Sequence, residues 1–179
     1  MDFNTLLKLK EPLGIKCAKF DGANFFLKDI PGSTMPLDIL VLMYHVFTSK
    51  DHAYHKKRLY DLGKLQSKAI LSKLIGDFQI RLSMDNLKLL LQVIAISGFG
   101  NIKVVRADFI HKKFIFKLKS AFAEQYLKLF RTQKLPVDNF ICGLLSGCLE
   151  HYFKEKFNVK ETACIVQGKT MCVFEAVTK

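Results

Sequence analysis

Two carboxylates and three thiols near the C-terminus are the side chains best suited to chemistry: Asp138, Cys142, Glu161, Cys164 and Cys172. Cys164 and Cys172 stand four residues to either side of Gly168, a residue type that marks a hairpin turn. A turn centred there sets the two thiols opposite each other on antiparallel strands, with Cβ atoms roughly 4.5–5.5 Å apart. Thiols at that spacing make a disulfide, half of a metal site, or an apolar pair in the core. Glu161 and Cys164 differ in strand parity, so they share a face only if a bulge or a strand start lies between them. Asp138 belongs to Pro136-Val137-Asp138, just ahead of an apolar run from Phe140 to Leu149 that reads as a helix. Pro136 suits the first helical turn, where its missing N–H is not needed. Asp138 in that turn favours the positive end of the helix dipole. Cys142 follows four residues later on the same helix face.

Several of these residues sit in longer strings: Pro-Val-Asp at 136–138, Gly-Leu-Leu-Ser-Gly-Cys-Leu-Glu at 143–150, Glu-Thr-Ala-Cys at 161–164, and Cys172. Together they resemble the 4-vinyl-reductase domain family. That family includes a protein linked to vinyl reduction in bacteriochlorophyll synthesis, the aromatic-sensing domains of bacterial regulators, and archaeal hydrocarbon-binding proteins. TRAPP-type tethering subunits and haem nitric-oxide-binding domains are more distant relatives. The resemblance is strongest over 136–175, and the order of elements upstream fits it.

The resemblance implies an α+β fold, an antiparallel sheet of local hairpins packed against several helices, similar to the NO-signalling/Golgi-transport ligand-binding fold. It also implies a structural zinc ion, which the aromatic-sensing members hold with three cysteines and one glutamate. Those positions carry over to Glu161, Cys164 and Cys172, while the place of the third cysteine, after Pro-Val, is taken by Asp138. An aspartate oxygen can bind zinc. A set of two sulfurs and two oxygens is harder and weaker for zinc than one with three thiolates, and Cys142 offers a substitute sulfur. A hydrophobic or aromatic ligand is implied beside the metal, in a pocket drawn from Phe99, Phe114, Phe116, Cys142 and Leu145. The apolar strand face of Phe114 and Phe116 is expected to lie under the small-residue side of the C-terminal helix. The same resemblance implies a homodimer. With no effector domain expected, output would pass through a downstream protein partner.

Enzymatic activity is not expected. Vinyl reduction needs a hydride donor, and the sequence has no Gly-x-Gly-x-x-Gly, no Gly-x-x-x-x-Gly-Lys-Ser/Thr, no His-Glu-x-x-His and no nucleophile elbow in a strand-to-helix turn. The 179 residues are half hydrophobic and one quarter charged, the balance of a globular chain with a substantial core. One domain over 1–179 is expected, with a hairpin and helices over 1–100 and the signature sheet, helix and hairpin over 101–179. Five cysteines is an odd count, which argues against a secreted disulfide framework. No apolar run reaches the ~20 residues of a membrane helix, and the start lacks the features of a signal peptide, so a cytoplasmic location is expected. The net charge of +12 raises nucleic acid as an alternative partner. The lysines are scattered, however, and the densest group, Lys50 to Lys73, reads as the solvated face of a helix.

The remaining elements follow from turn and periodicity signals. Asp21-Gly22 marks a hairpin between 15–20 and 23–28, and 30–34 reads as a breaker. A helix from Pro36 runs through Leu37 to Phe47 with apolar residues on nearly every side, which fits a core or an oligomer interface. Ser49-Lys50-Asp51 ends it and caps a second helix running to about Leu74. Leu59, Leu62, Leu65, Ala69 and Lys73 trace the expected buried stripe of that helix. Gly63, costly in a helix, suggests another backbone passing close by, and His52 and His55 form a weak candidate metal pair. Ser83 caps a third helix with Leu87, Leu90, Leu91 and Ile94 on one side, stopped by Gly98 and Gly100. Strands at 102–109 and 113–119 and a helix at 121–130 precede the signature region. Gly143 and Gly147 share a helical face and are expected to allow close helix-on-sheet packing.

Overall fold

A computed structural model describes residues 18–21, 24–27, 30–33, 37–78 and 83–178. The chain divides into two compact units, Met1–Leu40 and Val41–Lys179. In the first, strands β1 (Ala18–Asp21), β2 (Asn24–Leu27) and β3 (Ile30–Ser33) form an antiparallel sheet in that order. Asp21 pairs with Asn24, which sets the β1–β2 connection at 22–23, one residue beyond the expected Asp-Gly turn; those two residues lie outside the described set. The segment at 30–34 is not only a breaker: 30–33 form β3, with Pro31 opposite Phe26. Proline lacks an N–H, and β3 is an edge strand, where one unused donor position is tolerated.

The second unit carries helices α1 (Leu37–Lys50, which begins in the first unit), α2 (His52–Phe78), α3 (Met84–Ile94), α4 (Ala121–Phe130) and α5 (Asn139–Phe153). Its sheet is built from β4 (Gly100–Asp108), β5 (Lys113–Ser120), β6 (Phe157–Ala163) and β7 (Cys172–Thr178). All neighbours are antiparallel, in the order β4-β5-β7-β6. Two local hairpins therefore meet along β5 and β7. Alternation decides the faces: Phe114, Phe116 and Leu118 are fully buried, whereas Lys113, Lys117 and Lys119 are exposed. Cys172, Phe174 and Ala176 of β7 and Phe157 and Val159 of β6 join the buried side. The fold is α+β, an antiparallel sheet with helices on one face and the other face open.

Asp51 Oδ1 accepts a hydrogen bond from the Tyr54 amide at 3.0 Å and so caps α2. The buried stripe of α2 is not the leucine row the sequence suggests. Leu62 and Leu65 are exposed, while Gly63, Ser67 and Leu71 are buried. The reason is a close crossing with α5, the most extensive contact between helices. A Cβ on Gly63 would overlap the Phe140 carbonyl oxygen, one on Gly143 the Tyr60 carbonyl oxygen, and one on Gly147 the Ser67 hydroxyl. Gly143 and Gly147 thus permit helix-on-helix packing, not the helix-on-sheet contact expected. Backbones this close gain dispersion along their whole crossing, which offsets the propensity cost of three helical glycines.

Polar groups fasten the crossing. Lys64 Nζ pairs with Glu150 Oε1 at 2.7 Å, and the same oxygen accepts from the Phe157 amide at 3.1 Å. Ser146 Oγ donates to the Phe157 carbonyl at 2.9 Å. These bonds fix the path from α5 into β6. On α1, Val41, Tyr44 and Thr48 form the buried stripe, while Leu42, Met43, Val46 and Phe47 are exposed. On α3, Leu87, Leu91 and Ile94 are buried. A π-helical turn, Ala95–Phe99, follows it, with Gly98 in the left-handed region (φ 88°). Among the described residues no helix is long and apolar enough to cross a membrane.

Candidate metal centre

The path to the cluster begins with a helix end that does not cap itself. α5 starts at Asn139, so Pro136 precedes the helix instead of opening its first turn, and Asp138 is the N-cap residue. A carboxylate at that position normally accepts from its own helix's first amides. Asp138 makes no such bond. Its side chain is 3% exposed and turns to the sheet, where Ser120 Oγ donates to Oδ1 at 2.9 Å. Ser120 also accepts from the Ala123 amide at 3.0 Å, capping α4. One hydroxyl therefore starts one helix and orients the carboxylate at the start of another.

β6 and β7 deliver the other side chains. The register pairs Glu161 with Phe174 but Ala163 with Val173, so a bulge falls at Thr162. The bulge resets the parity, and Glu161 and Cys164 turn to the same side. Continuing the Ala163–Val173 register by one residue sets Cys164 opposite Cys172, and their sulfurs lie 3.4 Å apart as free thiols. The chain turns through a 3₁₀ segment, Ile165–Gln167, and Gly168 at φ 79°. That tip is tied to the loop before α5: the Gln133 amide donates to the Val166 carbonyl, and Gln167 Nε2 to the Lys134 carbonyl, both at 2.8 Å. The Asp138 amide donates to Glu161 Oε2 at 2.9 Å and closes the ring.

Asp138, Glu161, Cys164 and Cys172 each offer one ligand atom, and these four atoms lie within 4.8 Å of one another. Asp138 Oδ2 and Glu161 Oε1 are buried with no hydrogen-bond partner. A buried polar atom without a partner costs free energy, and two converging carboxyl oxygens beside two sulfurs compound that cost. Burial raises the Asp138 carboxyl to about 7. Burial first, and Asp138 second, raise Glu161 to about 10. The thiols behave as a pair sharing one proton. The Cys172 S–H hydrogen bond lowers Cys164 to about 6, and that same bond holds Cys172 well above the ordinary thiol range. One thiolate thus forms readily and the second is resisted. A divalent cation at the centre would reverse each of these penalties. The unpartnered oxygens and the two-sulfur, two-oxygen donor set fit a zinc-like ion.

Other candidate residues are distributed differently. Cys142 is buried, and its thiol is raised by desolvation and then by Glu161 and Asp138, yet it is not one of the four converging donors. Phe114 and Phe116 are neighbours, with ring centroids 6.3 Å apart, and Phe114 also meets Phe109, Phe153 and Phe157. Leu145 is buried. Phe99 is half-buried and stacks on Phe140 at 5.3 Å. His52 and His55 belong to no metal-capable group among the described residues; His55 stacks on Phe47. Ser120 escaped sequence reasoning, since a lone serine between a strand and a helix signals only a cap. Tyr44 also went unread: its hydroxyl accepts from Asn139 Nδ2 at 3.4 Å, and its pKa is raised by burial.

The 4-vinyl-reductase domain family model matches residues 121–178, from the start of α4 to the end of β7. The uncharacterized protein MJ1460 of Methanocaldococcus jannaschii is 34% identical over 112 residues, which span 63% of this chain and 67% of that protein. Among solved structures, the phenol-responsive sensory domain of the transcription activator PoxR, crystallised with phenol, superposes with a TM-score of 0.77. That match has 14% identity and covers 97% of this chain and 90% of that one. A vinyl-4-reductase family protein from Methanocaldococcus jannaschii matches with a TM-score of 0.55 and 23% identity, over 83% of this chain and 84% of that one.

Proposed function

The chain belongs to the 4-vinyl-reductase domain family, and from that premise we propose that it is a small-molecule-binding sensory domain whose C-terminal half is locked by a structural metal ion. The observation that carries this reading is the convergence of Asp138, Glu161, Cys164 and Cys172, with two buried carboxyl oxygens left without partners. A zinc ion held by these residues would supply a crosslink between the start of α5 and the β6–β7 hairpin, not redox or hydrolytic chemistry. The protein's own groups orient the donors: Ser120 holds Asp138, and the Asp138 amide holds Glu161. The likeness in fold to a phenol-responsive sensory domain supports a hydrophobic or aromatic ligand. The aromatic residues Phe99, Phe140, Phe114 and Phe116 and the buried Cys142 and Leu145 are the side chains proposed to recognise it.

Native mass spectrometry of freshly purified protein tests both halves. One zinc per chain, lost on Cys164→Ser with Cys172→Ser, is the expected metal result. Retention of a co-purified apolar molecule, or a rise in melting temperature with phenol or a simple alkylphenol, is the expected ligand result. Protein that carries no metal after zinc titration overturns the first half, and indifference to such compounds overturns the second.

A second reading is favoured by one observation. Val46 and Phe47 are 57% and 52% exposed on α1, beside exposed Leu42 and Met43. Contiguous apolar exposure on one helix marks a contact surface, and a second copy of the chain is the proposed occupant. Sensing and dimerisation are compatible, because a ligand can act by shifting a dimer equilibrium.

A further inference from the structure

The four-stranded sheet has one face turned away from the donor cluster and from the aromatic core. Strand register sets its outward side chains in rows. Lys103 of β4 lies directly opposite Lys117 of β5, and Lys117 opposite Val173 of β7. In the next row Arg106 lies opposite Ile115, Ile115 opposite Glu175, and Glu175 opposite Lys160. Lys113 and Val177 follow in the row beyond. Lys103, Arg106, Lys113, Lys117, Lys119 and Lys160 are all exposed. Apart from a 3.8 Å contact between Lys119 and Glu124, none of the six has a carboxylate within 4.0 Å among the described residues. The two carboxylates of the same face are occupied. Asp108 binds the His111 amide and ring, each at 2.9 Å, and Glu175 lies 3.5 Å from the Thr162 hydroxyl.

Like charges directly opposite on neighbouring strands destabilise a sheet. The Lys103–Lys117 pair therefore weakens the fold unless something outside the domain neutralises it. Between the cations lie Ile115 and Val173, half-buried, and Val177, 41% exposed. An apolar centre with a charged surround is the anatomy of a protein interface. No aromatic side chain occupies an outward position of these four strands, so the face lacks the stacking platform by which sheets hold single-stranded nucleic acid. We propose that this open sheet face docks an acidic protein segment bearing aliphatic side chains, its carboxylates on the Lys103–Lys117 row and its aliphatic groups over Ile115, Val173 and Val177. The inference does not depend on what occupies the metal site or the ligand pocket, which lie on the other side of the sheet.

The test uses the full chain and a fluorescein-labelled synthetic peptide of repeated Glu-Val-Asp-Leu, read by fluorescence anisotropy. A control peptide replaces Val and Leu with Gly, and a single-stranded RNA of equal charge is run beside it. Saturable binding of the first peptide, tighter than both controls at physiological ionic strength, is expected. Lys103→Glu with Lys117→Glu should weaken it about tenfold, the order expected for reversing two contact charges. Lys128→Glu, an exposed change on α4, should leave it within about twofold, since screened distant charges contribute little. Lys103→Ser with Lys117→Ser gives the same readout if the charge reversal disturbs folding, which far-UV circular dichroism checks. Absence of peptide binding, equal binding of the Gly control, tighter binding of the RNA, or indifference to both Lys103/Lys117 variants would overturn the proposal.

Discussion

Asp138 shows at the scale of one residue how a local rule is broken for the sake of a site. The best N-capping residue type occupies the N-cap of α5 and does not cap it. Its carboxylate sits instead against Ser120 Oγ with one oxygen unpartnered. Replacing Asp138 by Cys is expected to leave the fold intact and to tighten zinc binding by at least about tenfold, because a third soft donor replaces a hard one; competition against a chromogenic zinc chelator measures it. Ser120→Ala removes the α4 cap and one Asp138 partner together, and should cost about 1–2 kcal/mol in urea unfolding while also loosening zinc.

The protonation of the same carboxyl groups sets a pH dependence. Asp138 and Glu161 have folded pKa values raised to about 7 and about 10, so the metal-free folded state binds more protons than the unfolded chain. Its stability must then fall as pH rises through the window above the ordinary carboxyl range. Melting temperature of the chelator-treated protein should drop between about pH 5 and pH 8, and saturating zinc should flatten or invert that trend. A metal-free protein that grows more stable over this window would contradict the buried, unpartnered geometry.

At the scale of elements, the hairpin of 157–178 and the strands of 100–120 were legible because alternation and turn glycines act locally. The need for a bulge between Glu161 and Cys164 was legible too, since strand parity is arithmetic. The packing of α2 was half legible. Gly63 signalled a close backbone, and Phe140 of α5 is there. The leucine row nevertheless pointed to the wrong face, because periodicity assumes that large apolar residues seek the core, and a glycine-lined crossing has no room for them. Pro31 misled in the opposite direction, since an edge strand tolerates a missing donor.

Those crossings predict a contrast among glycines. Gly143→Ala drives a methyl into the Tyr60 carbonyl, where only backbone movement can relieve it, and overpacking of this kind typically costs about 1–3 kcal/mol. Gly168→Ala meets nothing within 4 Å and faces only the strain of a left-handed φ of 79°. Its cost should be smaller, about 1 kcal/mol. Chemical denaturation of the two variants should rank them in that order, and Gly63→Ala should behave like Gly143→Ala because it strikes the same crossing from the other helix.

For the whole molecule, the exposed side of α1 decides whether the chain acts singly. Val41, Tyr44 and Thr48 already satisfy the helix's need for burial, so Leu42, Met43, Val46 and Phe47 are surplus apolar surface. Such surface is costly to leave in water, roughly 25 cal/mol per Å² of apolar area, and a second copy can cover it by a two-fold contact in which the same patch meets itself. Light scattering after size exclusion should give twice the chain mass. Val46→Glu with Phe47→Glu should halve it, because two buried like charges per protomer cannot be paired across a two-fold axis. Neither side chain belongs to the donor cluster, so the double variant should still take up one zinc. A monomeric parent protein, or a variant that remains dimeric, would remove α1 from the interface and leave its apolar side to some other cover.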